Sequence, residues 1–126
     1  PTARATSEDR AALPALLAPA AVHPALIARG LRMRTSLVVD TDAARDAHQV
    51  AALCAYGASA VHPSLGYATV AALAADACPP YRLALERGLL TIMSKMGVCT
   101  FSGYCGAGLF EILGLDASLA TRFFPG

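Results

Sequence analysis

The residues most able to do chemistry fall at the ends of short apolar runs. Thr35 to Val39 leads into Asp40-Thr41-Asp42, Ala58 to His62 ends on an imidazole before Pro63, and Val98 to Phe101 leads into Ser102-Gly103-Tyr104. In a parallel α/β fold, ligands collect at the carboxyl ends of strands. Asp40, Thr41, His62, Ser102 and Tyr104 are therefore the candidate rim: a carboxylate, an imidazole and hydroxyls suited to acid–base work, to a polar ligand or to an interface. The plainer alternative is that Asp40 and Asp42 cap a helix beginning at Ala43 and that His62 bonds to backbone. Gly103, Gly106 and Gly108 offer a second arrangement, a turn able to hold a small anion at the start of a helix. Its G-x-x-G-x-G spacing differs from the dinucleotide fingerprint. His23, His48 and His62 have no i, i+4 partner, so a metal site is not expected. Ser94 and Lys95 are adjacent on a predicted helix and point about 100° apart, which is poor geometry for a nucleophile–base pair. No residue is assigned a catalytic, cofactor-binding or metal-binding role.

The elements that would position these groups follow from hydrophobic spacing. Thr6 and Ser7 before Glu8-Asp9 predict the start of a helix, and an apolar stripe from Leu13 to Ile27 continues it to Gly30. Pro19 and Pro24 predict a kink or a split. Further helices are predicted over about Ala43–Tyr56, Tyr67–Ala77 (broken by Cys78-Pro79-Pro80), Tyr81–Met96 and Ala107–Leu113. The alternation predicts an α/β fold, a partial (β/α) barrel-like unit with about three parallel strands and flanking helices.

Composition bounds the rest. The 126 residues suffice for one domain, and 56% hydrophobic against 15% charged residues gives a core-forming chain. A net charge of +1 without a basic run argues against nucleic acid and an anionic membrane surface, and no apolar run is long enough to span a bilayer. Twenty-eight alanines favour helices. The four cysteines, at 54, 78, 99 and 105, match neither a zinc knuckle nor a C-x-x-C pair, so free and mostly buried thiols in a reducing cytoplasm are expected. A start without Met and an end at Phe123-Phe124-Pro125-Gly126 suggest a segment of something larger, with both aromatics bare.

Three stretches are more specific. L-R-M-R-T-S-L-V-V-D-T (Leu31 to Thr41), A-R-D-A-H-Q-V-A-A-L-C-A-Y-G-A-S-A-V-H-P (Ala44 to Pro63) and G-L-L-T-I-M-S-K-M-G-V-C-T-F (Gly88 to Phe101) recur in order, followed by F-E-I-L-G-L (Phe110 to Leu115) and preceded by A-A-V-H-P-A-L-I (Ala20 to Ile27). Together they resemble the C-terminal half of the central domain of the glutamate synthase large subunit, over nearly the whole chain. Ile92 to Gly97 is the most diagnostic piece. The resemblance implies one segment of a cytoplasmic flavoenzyme that makes two glutamates from glutamine, 2-oxoglutarate and reductant. It implies neighbouring amidotransferase and FMN-binding domains on the same polypeptide, a [3Fe-4S] cluster with the FMN, and a small electron-transfer subunit in some members. It assigns this segment a connecting role, with no cofactor of its own. The chain departs from the family pattern at Pro24, Cys105 and Gly108, where helix, Arg and Gln are usual.

Overall fold

A computed structural model describes residues 7–9 and 11–124. Helix α1 (Leu17–Ala28) leads through a 3-10 turn (Arg32–Arg34) to strand β1 (Val38–Thr41), helix α2 (Ala47–Ala55) and strand β2 (Ala60–Pro63). Helices α3 (Ser64–Leu73), α4 (Cys78–Lys95), α5 (Phe101–Tyr104) and α6 (Ala117–Phe123) follow. The strands pair in parallel, with Val38 opposite Ala60 and Asp40 opposite His62. A parallel pair cannot be closed by a tight turn, and α2 supplies the crossover. The class is α/β, as the alternation of elements requires.

The predicted third strand is absent among the described residues, and the sheet has two strands. The run from Val98 to Phe101 has strand composition, but local hydrogen bonds prevail. Thr100 Oγ1 accepts from the Gly103 amide at 3.2 Å, capping a single helical turn that begins at Phe101. Residues 107–113 are likewise not helical. That segment runs irregularly and lays Phe110 and Ile112 against the buried residues, while the last helix starts later, where the Asp116 side chain accepts from the Ser118 amide.

Other boundaries move for identifiable reasons. Helix α2 starts at Ala47, because Asp46 caps it through the Gln49 amide at 2.9 Å and Gln49 Oε1 accepts from the Arg45 amide at 2.7 Å. This reciprocal arrangement resembles a capping box. Asp40 and Asp42 are therefore not the caps of this helix. Pro79 and Pro80 open α4, in the first turn where a missing N–H costs nothing. Pro19 stands similarly early in α1, and the helix runs on through Pro24 without splitting. Residues 7–9 are not helical, and Thr6 lies outside the described residues. Gly30 ends α1 as expected: its amide and that of Leu31 donate to Ile27 and Leu26.

The main core gathers Val39 of β1, Val50, Ala51, Leu53, Cys54 and Ala55 of α2, Leu85 and Met93 of α4, and Tyr104. A second cluster joins Ala20, Tyr56 and Phe124. Phe124 is thus buried, edge-on to Tyr56 at 5.0 Å, and Phe123 is half-buried; neither aromatic is bare. Among the cysteines only Cys54 is buried, and Cys99 is exposed. Helices α2 and α4 pack so closely that a Cβ on Gly88 would fall on the Ala47 methyl. Gly88→Val must push them apart, and we expect a loss of about 1–3 kcal/mol, read from the urea midpoint. An unchanged midpoint would show that the pair has slack to give.

Candidate functional site

The sequence-derived rim divides between two ends of the sheet. Asp40, Thr41 and His62 lie together at the carboxyl ends of β1 and β2. There Thr41 Oγ1 accepts from the Ala43 amide at 3.1 Å, and Ser64 Oγ donates to Asp42 Oδ1 at 2.6 Å. The exposed His62 ring stacks on Tyr67, with centroids 5.1 Å apart. Asp40 Oδ1 is buried without a hydrogen-bond partner among the described residues. Ser102 and Tyr104 are elsewhere. Tyr104 is fully buried and donates to the Ala51 carbonyl at 3.1 Å. Ser102 lines a cavity near Ser59, the residue before β2, toward the amino ends of the strands.

That second location holds the densest polar arrangement, centred on Arg32 of the 3-10 turn. Arg32 Nε donates to His23 Nδ1 at 2.8 Å and Nη1 donates to the Thr35 carbonyl at 2.7 Å. Nη2 reaches the Gly57 carbonyl at 3.1 Å, Ser59 Oγ at 3.2 Å and Cys105 Sγ at 3.6 Å. Ser59 Oγ also accepts from the Leu37 amide, and the Cys105 thiol donates to the Ala58 carbonyl at 3.5 Å. Each acceptor of the guanidinium is neutral. The His23 ring is seated between Gly57 and Gly106, both at positive φ, and a Cβ on either would fall on the ring. Around this cluster is an open cavity of about 800 Å³, walled by Ile27, Met33 and Phe101 as well as the polar groups. Its size is that of ordinary ligand pockets. Nothing in the spacing singled out Arg32, His23 or Ser59. The usable signal was an arginine in a stretch without acids.

The glycine-rich turn is engaged with itself. Gly103, Cys105 and Ala107 amides donate to Thr100, Phe101 and Tyr104 carbonyls, and Gly106 is covered by His23. The cysteines do not suit an iron–sulfur cluster. Burial, with Cys105 adding to it, pushes the Cys54 thiol up to about 12, and Cys105 is held by Arg32 and Ala58. Among the described residues no three His, Cys, Asp or Glu side chains converge on one point.

The model of the glutamate synthase central domain matches residues 2–116. The chain belongs to the glutamate synthase central-domain family. The glutamate synthase [NADPH] large chain of Bacillus subtilis is 37% identical over 90% of this chain, which spans 8% of that relative. The chloroplastic ferredoxin-dependent glutamate synthase of Spinacia oleracea is 41% identical over 93% of the chain and again 8% of the relative. Ferredoxin-dependent glutamate synthase 2 of Synechocystis is 37% identical over the whole chain, 9% of its own length. The chain thus spans less than a tenth of these glutamate synthases.

Burial first, and the Arg32 charge second, hold His23 below its ordinary value of 6.5. The folded chain then favours neutral His23, so this contribution to stability is complete above pH 6.5 and declines as pH falls through the folded value. Urea midpoints between pH 8 and 5 should fall on the acid side, with a shallower fall in His23→Gln; equal slopes would remove His23 as the cause. Iodoacetamide should alkylate exposed Cys99 first and Cys54 only upon unfolding, by mass mapping. Early modification of Cys54 would contradict its burial.

Proposed function

We propose that this chain is a connecting segment of a glutamate synthase, the C-terminal half of its central domain, which joins the amidotransferase and FMN-binding domains. The parent reaction is the conversion of glutamine, 2-oxoglutarate and reductant to two glutamates, with FMN and a [3Fe-4S] cluster held by the neighbouring domain. The observation that carries this reading is how the long polar side chains are used. Arg32, Tyr56, Tyr81 and Tyr104 each donate to a backbone carbonyl on a distant element: Gly57, Phe110, Arg45 and Ala51 respectively. Groups committed to backbone in this way fix the relative positions of elements, as a scaffold must.

Similarity supports the same role. Relatives named for NADPH and for ferredoxin match this chain at 37% and 41% identity, so the segment does not track the reductant. That fits a part of the enzyme remote from electron entry and from any electron-transfer subunit. No helix among the described residues is long and apolar enough to cross a membrane.

The test is replacement. Exchanging the matching segment of the Bacillus subtilis large chain for this one should yield an enzyme that retains flavin and iron and couples glutamine consumption to glutamate formation. The 126-residue chain alone should bind neither flavin nor iron and hydrolyse no glutamine. A well-folded hybrid that hydrolyses glutamine without forming glutamate would support a joining role damaged by sequence differences. Turnover by the isolated chain would overturn the scaffold reading.

A further inference from the structure

We propose that the cavity at Arg32 binds a small monocarboxylate with a compact apolar body, a branched or aromatic acid without an amino group. The proposal goes beyond the connecting role, since joining two domains requires no ligand. Charge is the first argument. Residues 11–39 contain no Asp or Glu, and neither residue type lines the cavity. Arg32 meets only neutral acceptors, so its half-buried cation stands in the cavity wall without an anion among the described residues. Its unused bonding capacity is specific. Nη1 donates only to the Thr35 carbonyl, which leaves one of its hydrogens without an acceptor among the described residues. Ser59 Oγ accepts from both the Leu37 amide and Arg32 Nη2, so both lone pairs are used and its own hydrogen is left to donate. A carboxylate brings two acceptor oxygens for these two donors, one of them charged and already held in place.

The rest of the lining narrows the acid. Ile27, Met33 and Phe101 are apolar walls, and the volume of about 800 Å³ suits a ligand of ordinary size. Acetate or inorganic phosphate would meet the donors and leave these walls in water. A phenyl or branched alkyl body covers them, and Met33, unbranched and 96% exposed, can adapt to its shape. Arg29 and Arg34 lie outside the lining, so a second carboxylate finds no cation there. An ammonium finds no Asp or Glu. Both absences disfavour a dicarboxylate and an α-amino acid. A peptide segment would bring amide N–H groups as well, and His23 Nδ1, the ring acceptor in the lining, is already taken by Arg32. What remains is an uncharged apolar body carrying one carboxylate.

The test uses amide spectra of the full ¹⁵N-labelled chain, titrated at millimolar concentration with phenylacetate, phenylacetamide and acetate. The second probe removes the charge and the third removes the apolar body. Phenylacetate should shift the amides of Met33, Ser59 and Ser102 and bind about tenfold more tightly than either of the others. Arg32→Gln removes the donor but also removes internal bonds. Met33→Asp is therefore the variant of choice, placing a like charge on the rim while leaving the Arg32 contacts in place, and it should weaken phenylacetate about threefold. Equal affinity for phenylacetate and either comparison probe, no shifts at the cavity, or indifference to Met33→Asp would overturn the proposal. N-acetyl-Leu-Glu-Phe-amide binding more tightly than phenylacetate would make this a peptide-docking face and overturn the small-acid occupant. The connecting role is tested separately by the hybrid enzyme, so the two readings fail independently.

Discussion

One guanidinium holds together parts of the chain that otherwise share little contact. Arg32 reaches α1 through His23, the lead into β1 through Thr35, the α2–β2 connection through Gly57 and Ser59, and the turn after α5 through Cys105. The last of these lies 73 residues away in sequence. Only arginine suits the position, because a planar fork of fixed donors can address acceptors in several directions at once. A lysine ammonium would place its three protons on a single nitrogen and lose the spread. The two glycines at the His23 ring belong to the same constraint: the ring can accept from Arg32 only if it sits where a Cβ at Gly57 or Gly106 would intrude.

The need for such an anchor follows from the core. Helix α2 buries Val50, Ala51, Leu53, Cys54 and Ala55, of which only Leu53 is large, so most of its buried positions remove little apolar area from water. The compensation is close approach, with Gly88 against Ala47, and a few large residues that fill the space between elements. Tyr104 is the largest of these, and its hydroxyl is matched by the Ala51 carbonyl, so its burial leaves no polar atom unpaired. Burial drives its hydroxyl up to about 12, with Cys54 adding to the effect, and the phenol stays neutral where it packs.

What could be read from the sequence divides at about Gly97. Before it, strand and helix composition agreed with tertiary demand: the two strands, the crossover helix and the long α4 were legible, with shifted ends. The Asp46–Gln49 cap was present in the sequence at its proper spacing, but three nearby aspartates competed for the same role, and side-chain geometry alone separates them. After Gly97 local and global signals disagree. Val98 to Phe101 has the residues of a strand, yet the Thr100 hydroxyl lies three residues before a glycine amide and closes a turn first. The apolar segment around Phe110 has helical spacing, but its side chains serve the core better from an irregular path. Of the candidate rim, the structure brings Asp40, Thr41 and His62 together and separates them from Ser102 and Tyr104, because the third strand that would have aligned them does not form. Arg32 was invisible for another reason. Its partners are two backbone carbonyls and three uncharged side chains drawn from separate elements, a set that carries no sequence signature.

The small sheet explains why polar anchoring matters more here than in a larger α/β layer. Parallel strands are ordinarily covered on both faces, and a two-stranded ribbon contributes little stability by itself. Val39 and Thr41 turn inward on β1, and Val38 turns outward and is exposed, so one face of the strand has only partial cover. The register of the pair is instead set at its amino end, where the Ser59 amide donates to the Leu37 carbonyl at 2.7 Å and Ser59 Oγ accepts from the Leu37 amide. Ser59 in turn is an acceptor of Arg32. Strand pairing, helix α1 and the turn after α5 are therefore linked through one charged group. A perturbation of that group would be felt at the sheet, at the cavity and at the His23 ring together, and not at the carboxyl-end rim alone.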